Sequence, residues 1–438
     1  MYRFVFLVCT LVMGGAFGQA SKCFANEVDA RKQPNIVLIM ADDLGTETIG
    51  CYGAKDYRTP NIDALAASGV RFRHCYSQPL CTPSRAQIMT GRYNHRNYQG
   101  FGYLDPQEVT FGNVLKKAGY QTCIAGKWQL CGDASTLRNF GFDEHCLWNM
   151  HAYRKDAPNA NEPKGWLRRY DAATLYENGK WNEYPAGVYG PQVCADFISS
   201  FIARKKDRPF FVYYPMILTH GPFVPSPASD DPNSKNRKQN FVDMVEYMDF
   251  LVGQIVQQLD KQGVLENTLI LFTGDNGTDT SITSDTLEGR VRGRKGSMAD
   301  GGTHVPLVAT WSGESPAGKV VDDLVDFSDF LPTLCDATGA SLPADRIIDG
   351  QTFFPQILGK KGEPREWLFC HYWGGTGRKR EGTREFVRNQ RWKLYDDGQM
   401  FDVMHDPEET KPLEQLDPEV VIVKQRFREV FESLKSNR

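Results

Sequence analysis

The sequence predicts an α/β protein built on a mostly parallel sheet sandwiched by helices, and three observations carry that prediction. Unbroken apolar runs such as Asn35-Ile-Val-Leu-Ile-Met40 suit strands buried on both faces. Helical segments alternate with these runs, as a wound sheet requires. Each run also stops at polar residues: Asp42-Asp43, then Gly126-Lys127 after 121–125, His220 after 210–214, and Asp275-Asn276 after 269–273. In open α/β sheets ligands bind beyond the carboxyl ends of the strands, so these residues are expected to meet in one crevice.

The remaining elements follow in chain order. Arg3, the apolar run 4–17 and the small residues ending at Ala20 read as a secretory leader within residues 1–25, cleaved after Ala20 or Ala25. Lys22 before Cys23 argues against a lipoprotein site. The run is too short to span a bilayer and no second stretch reaches membrane length, so the mature chain is expected to be exported, periplasmic or secreted, without stable membrane insertion. Thr59-Pro60 opens a helix that closes near Gly69, and Thr110 caps another that ends at Gly119. Thr82 as N-cap with Pro83 at the first position predicts a third, ending near Gly91. Between residues 241 and 261, Phe241, Val245, Met248, Val252, Ile255 and Leu259 mark the buried stripe of the clearest helix.

Residues 145–185 are polar and aromatic and read as a surface insertion, with Asn178-Gly179 as a two-residue hairpin turn. Trp166, Tyr170, Trp181 and Tyr184 suit hairpin packing, or stacking on sugar rings at a cleft rim. From residue 363, short strand-like stretches at 367–373, 384–388 and 392–395 predict a small antiparallel sheet closed by a helix over 418–436. The expected organisation is thus a leader (1–25), a large α/β domain (26–362) and a smaller C-terminal α+β domain (363–438).

Bulk properties narrow the function. A net charge of −3 over 438 residues leaves no global basic footprint, so no nucleic-acid partner is expected. Eleven scattered cysteines do not make a disulfide scaffold, and Cys123, Cys131 and Cys146 lack zinc-site spacing. Buried free cysteines, with room for one disulfide, are expected.

Asp42, Asp43, Asp275 and Asn276 offer only oxygen ligands, which suits calcium or magnesium. Adjacent carboxylates repel unless a cation or partner neutralises them. A helix beginning at Thr82 sets residue 81 at a positive end that favours an anionic group, and Arg85 one turn on can orient residue 81 or an anionic oxygen. Taken singly, each feature also fits a solvated turn or a structural helix start with an inert cysteine.

Nine segments taken together resemble the type I, formylglycine-dependent sulfatases of the alkaline-phosphatase superfamily, over most of the chain. They are Asn35-Ile-Val-Leu-Ile-Met-Ala-Asp-Asp43, Thr59-Pro-Asn-Ile-Asp63, Cys81-Thr-Pro-Ser-Arg85 with Thr90-Gly91, Ala125-Gly-Lys-Trp128 and Gly141-Phe-Asp-Glu144. Further on stand His220-Gly-Pro-Phe223, Thr273-Gly-Asp-Asn-Gly277, Gly293-Arg-Lys-Gly296 with Asp300-Gly-Gly302, and Trp392-Lys-Leu394. The resemblance implies an alkaline-phosphatase-like fold and hydrolysis of sulfate monoesters, on a carbohydrate by expectation. It implies that a maturation enzyme converts Cys81 to Cα-formylglycine. It also implies that one calcium, or magnesium, is held by Asp42, Asp43, residue 81, Asp275 and Asn276. A hydroxyl of the hydrated aldehyde would attack sulfur, Lys127 and Lys295 would bind sulfate oxygens, and His220 would protonate the leaving alkoxide.

One position departs from the family's pattern. Many members carry histidine two residues after the lysine, commonly assigned to the hydroxyl side of the cycle, where this chain has Gln129, whose amide can hydrogen-bond the hydrate but cannot take its proton. His74, His95, His304 and His371 have no family counterpart and are candidates for lining the substrate site. The basic runs Arg290, Arg292, Arg294, Lys295 and Arg378, Lys379, Arg380, Arg384 suit either a polyanion or a solvated face. Two alternatives stand beside the sulfatase reading: a phosphate or phosphonate ester hydrolase of the same superfamily, and a non-catalytic binder of sulfated glycans.

Overall fold

A computed structural model describes residues 33–130, 134–148, 168–373, 382–415 and 417–436. The expected leader at 1–25, Cys23, Cys131, Trp166 and the basic residues Arg378, Lys379 and Arg380 lie outside the described residues. The strands are β1 (Asn35–Ala41), β2 (Val70–Tyr76), β3 (Gln121–Lys127), β4 (Glu144–Trp148), β5 (Thr174–Glu177), β6 (Lys180–Glu183), β7 (Phe210–Pro215) and β8 (Thr268–Gly274). They continue with β9 (Thr283–Thr286), β10 (Gly289–Arg292), β11 (His304–Trp311) and β12 (Lys319–Asp326). Among the described residues, ten of these form one mixed sheet in the order β12-β2-β11-β8-β1-β7-β3-β4-β5-β6. Its central run β8-β1-β7-β3-β4 is parallel throughout.

Burial on both faces is what makes that centre parallel and apolar. Val37 and Ile39 of β1 face one core, with the helices Pro60–Ser68, Gly190–Lys205 and Arg237–Lys261. Ile36, Leu38 and Met40 face the other, with the helices Cys81–Thr90, Phe111–Lys117 and Phe330–Thr338. The expected α/β fold with helices on both faces is therefore the observed one. Thr110 caps its helix through the N–H groups of Gly112 and Asn113, with the Asn113 side chain returning the bond.

Three expectations are corrected. The hairpin around Asn178-Gly179 is no surface insertion: β5 and β6 extend the large sheet, and Leu175 and Tyr176 are buried in it. Trp181 packs on Tyr176 with ring centroids 5.1 Å apart, and Tyr184 donates to Glu177 at 2.6 Å. Thr82 is not an N-cap, because the helix starts at Cys81 behind Leu80 and the Thr82 hydroxyl instead accepts from the N–H of Gly102 at 3.1 Å. The long helix begins at Arg237 rather than Phe241, capped by Asn236 through the Gln239 N–H.

The C-terminal strands β13 (Leu368–Tyr372), β14 (Arg384–Arg388), β15 (Trp392–Tyr395) and β16 (Met400–Asp402) form an antiparallel sheet, covered by the helix Pro418–Ser436. Buried polar ties join it to the segment 293–303 before β11. Arg388 pairs with Asp300, and Lys393 donates to the carbonyl of Met298 and pairs with Glu409 at 2.7 Å. Arg294 pairs with Glu408. His304 completes the network, with Nδ1 3.1 Å from Asp300 and Nε2 2.7 Å from the Arg73 carbonyl.

Both ring nitrogens of His304 thus face acceptors, which favours the imidazolium. Burial lowers its pKa, but Asp300 and the Arg73 carbonyl outweigh that, and the pKa is raised above 6.5. A raised folded-state pKa gives stability that is complete below the unfolded value and lost as pH rises through the folded one. The difference in urea-unfolding free energy between wild type and His304→Gln is therefore expected to be full near about pH 6 and to shrink as pH rises. A difference independent of pH would show that Asp300 does not hold the charged ring.

Candidate active site

Parallel neighbours end at the same edge of a sheet, so the residues that follow β1, β7 and β8 are brought together by register alone. Ala41 of β1 sits opposite Gly274 of β8, and the next residues are Asp42 and Asp275. Backbone bonds lock this end: the Asp42 N–H donates to Leu218, Thr219 to Asp42, Asp275 to Ala41 and Leu44 to Asn276. Asp43 takes a left-handed conformation, φ 61°, that aspartate tolerates better than most residues, and it turns back onto the sheet edge.

Asp42, Asp43, Asp275 and Asn276 are all buried, within a cage of cations. Lys127, the last residue of β3, pairs with Asp42 at 2.7 Å, and Lys295 pairs with Asp43 at 2.5 Å. Arg85 donates to Asp275 at 2.9 Å and to the Lys127 carbonyl at 2.9 Å. Its side chain faces the strand ends, so its positioning acts on Asp275 and β3. Asp275 also accepts from the Asp43 N–H at 3.0 Å, and the Asn276 amide donates to Asp43 at 2.9 Å.

Cys81, at the first turn of its buried helix, lies with Sγ 3.5 Å from Asp42 and 3.8 Å from Asp43. His220 approaches from beyond β7, its Nε2 3.7 Å from Asp43. Ligand atoms of Asp42, Asp43, Cys81 and His220 all fall within 4.8 Å of one another, a cluster able to hold a metal ion. The donor set fits a hard divalent cation, because one buried oxygen of Asp42 and the buried carbonyl oxygen of Asn276 have no hydrogen-bond partner in the structure.

The electrostatics are those of a charge-dense pocket. Burial raises the carboxyl pKa of Asp42, yet Lys127, His220, Arg85 and Lys295 outweigh it and hold Asp42 well below the usual range. Asp43 is likewise lowered against its burial, chiefly by Lys295 and His220. Asp275 goes the other way, pushed up to about 7 by burial and by Asp42 despite Arg85. Burial raises the Cys81 thiol far above the range of a reactive thiolate, so an unmodified cysteine here is a poor nucleophile. His220 is lowered, first by burial.

Gln129 is buried and has a φ of 57°, and its side-chain oxygen has no partner. His74 stacks near His304 and His95 near His371, which bonds Glu385 at 2.7 Å; none of the four joins the acidic cluster. The first basic run is divided, with Lys295 in the site, Arg290 and Arg292 on β10, and Arg294 on Glu408. Arg384 pairs with Asp396 and Asp397. The described cysteines Cys51, Cys75, Cys81, Cys123, Cys146, Cys194, Cys335 and Cys370 are free. Among the described residues no helix is long and apolar enough to cross a membrane. Nothing in the sequence marks Arg169 as belonging here, and Tyr170 is expected from it only as a hairpin or cleft-rim aromatic, yet both bond the His220–Gly221 backbone. A cleft of about 400 Å³ opens beside that loop, lined in part by Tyr170, Tyr189, Pro222 and Pro225.

Comparison with known proteins agrees with this arrangement. The sequence model "Sulfatase" matches residues 34–340, and "N-sulphoglucosamine sulphohydrolase, C-terminal" matches 294–437. The chain is 31% identical to the steryl-sulfatase of Rattus norvegicus, over 77% of this chain and 73% of that protein. It is 33% identical to the N-acetylgalactosamine-6-sulfatase of Canis lupus familiaris, over 79% and 70% respectively. Among solved structures, Ps i-CgsB in complex with k-i-k-neocarrahexaose superposes with a TM-score of 0.75 at 26% identity, covering 92% of this chain and 93% of that one.

Gly126, just before Lys127, has a φ of 123°, and a Cβ there would stand 1.9 Å from the Pro215 carbonyl oxygen. Only glycine lets β3 pass β7 this closely and deliver the lysine to Asp42. Gly126→Ala is expected to cost roughly 2 kcal/mol or more of unfolding free energy and to weaken ion pairing at Asp42. An unchanged denaturation midpoint would contradict this account.

Proposed function

Because this chain belongs to the sulfatase family and is an enzyme that hydrolyses sulfate esters, we propose that it does so through a nucleophile made at Cys81, on a sulfated carbohydrate. The observation that carries the reading is the meeting of Cys81 with both carboxylates of the first strand end. A thiol buried there is neither exposed nor acidic enough for nucleophilic work, whereas oxidation to formylglycine supplies a hydrated aldehyde whose hydroxyl is suited to the same position.

Sulfatases are in general metal dependent, and here Asp42, Asp43, Asp275, Asn276 and residue 81 are the residues that would hold one calcium or magnesium. A cation bound there would neutralise these carboxylates and supply Lewis acidity beside residue 81. Lys127 and Lys295 bind the sulfate oxygens and stabilise the charge that builds on transfer. Arg85 pairs with Asp275, offsetting part of the burial that raises its pKa, and braces the strand that carries Lys127. His220 gives its Nε2 proton to the leaving alkoxide. Gln129 orients the hydroxyl side of residue 81 by hydrogen bonding.

A carbohydrate suits the cleft beside His220, since tyrosine and proline faces meet the C–H faces of a sugar while the rim stays polar. Export through the N-terminal leader, with maturation by a formylglycine-generating enzyme, completes the proposal. Its test is a sulfate-release screen of the matured protein against defined sulfated mono- and oligosaccharides, alongside aryl phosphate. Release from at least one sulfated sugar is expected, abolished by Cys81→Ala, together with a tryptic peptide mass showing formylglycine. Undiminished sulfatase activity with only unmodified cysteine at 81 would refute the nucleophile, and faster turnover of the phosphate would refute the substrate class.

Gln129→His is expected to leave the calcium-induced rise in Tm unchanged while altering the step after alcohol release, read as a change in burst amplitude. Loss of the calcium effect would show instead that Gln129 supports the cation-binding residues.

A further inference from the structure

The geometry points to Arg169 as a positioning residue for His220, acting with Tyr170 as a strap that fixes which ring nitrogen faces the reaction. This inference rests on the reading of His220 as proton donor to the leaving alcohol.

Arg169 is 7% exposed, and its guanidinium lies 4.5 Å over the ring of Trp148, the residue beside Lys127 in the β3/β4 register. From there Nη2 donates to the Gly221 carbonyl and lies 3.3 Å from His220 Nδ1. His220 Nδ1 is itself 2.7 Å from the same carbonyl. The Tyr170 hydroxyl donates to the carbonyl of His220, so the backbone on either side of the His220–Gly221 peptide is held. The strap is anchored from behind: the Gly190 N–H donates to the Tyr170 carbonyl at 2.8 Å, and a Cβ on Gly190 would stand 2.1 Å from the Arg169 carbonyl oxygen.

A histidine whose Nδ1–H is committed to a carbonyl has only Nε2 left to exchange a proton, and the partner of one nitrogen sets the role of the other. Here Nε2 faces Asp43 and the Cys81 cluster. When the ester oxygen leaves sulfur, the Nε2–H bond breaks, an O–H bond forms on the alcohol, and the ring is left as the neutral Nδ1–H form that the Gly221 carbonyl accepts from. Arg169 shares that carbonyl, and its stacking on Trp148 ties the carbonyl's place to the strand end bearing Lys127.

Proton donation matters for a poor leaving group and little for a good one. The test compares kcat/KM of the matured, calcium-loaded enzyme on an alkyl sulfate and on 4-nitrophenyl sulfate, for wild type, Arg169→Met, Tyr170→Phe, His220→Ala and the double variant Arg169→Met/His220→Ala. Arg169→Met is expected to lose on the order of 10²-fold on the alkyl ester, as a small misplacement of a reacting group does, and only a few-fold on the nitrophenyl ester. Tyr170→Phe follows with a smaller loss of the same selectivity and serves if Arg169→Met lowers Tm. In the His220→Ala background Arg169→Met is expected to add nothing. Equal losses on both esters, or losses that add in the double variant, would overturn the role of Arg169 while leaving His220 in place. A flat response of His220→Ala itself would overturn this inference together with the reading beneath it.

Discussion

Three carboxylates buried at one end of a parallel sheet cannot stand there unless cations meet them, and this requirement organises the molecule. The ends of β1 and β8 supply Asp42, Asp43 and Asp275, and no side chain on those two strands can balance them. The answering charges come from distant segments: Lys127 from β3, Arg85 from the buried helix and Lys295 from the segment before β11. Removing one partner of a buried ion pair costs about 3–5 kcal/mol, so each of these segments is held to the sheet edge by charge as well as by packing.

The same requirement makes the pocket suited to an anion and a cation at once. Lys127 and Lys295, which neutralise these carboxylates, are already desolvated and aimed, so under the proposed function a sulfate group and a divalent cation would replace one set of neutralising contacts with another. The field is thus arranged before the substrate binds, which is where electrostatic stabilisation is most effective.

How much of this was legible in the chain depended on whether local pattern or distant contact decided each feature. The run before Asp42-Asp43 was readable because burial on both faces forces an unbroken apolar stretch, and a central strand has little freedom to look otherwise. By contrast β6 has only one covered face and β12 is an edge strand carrying Asp322 and Asp323, so neither shows the central pattern. Pro306 interrupts β11, and β16 is only three residues long. Thr82 looked like an N-cap because its residue type usually is one, but its hydroxyl is taken by Gly102, twenty residues away. The site residues were legible as separate polar strand ends; their pairing with particular cations was not, since nothing local links Lys295 to Asp43 or Arg85 to Asp275. Arg169 lay in a segment whose composition carries no periodicity, and its meaning rests wholly on a contact with a loop fifty-two positions away.

The ties between the C-terminal sheet and the segment 293–303 bear on how this protein can vary. Arg388 and Lys393 reach out of β14 and β15 to Asp300 and Met298, and Lys295 sits on the same short segment. Any drift in the tilt of the small sheet would be transmitted along a few peptide units to the ammonium group on Asp43. Descendants of this chain are therefore free to vary the exposed face of the C-terminal helix, while the inward face of the appended sheet must evolve in step with the catalytic pocket.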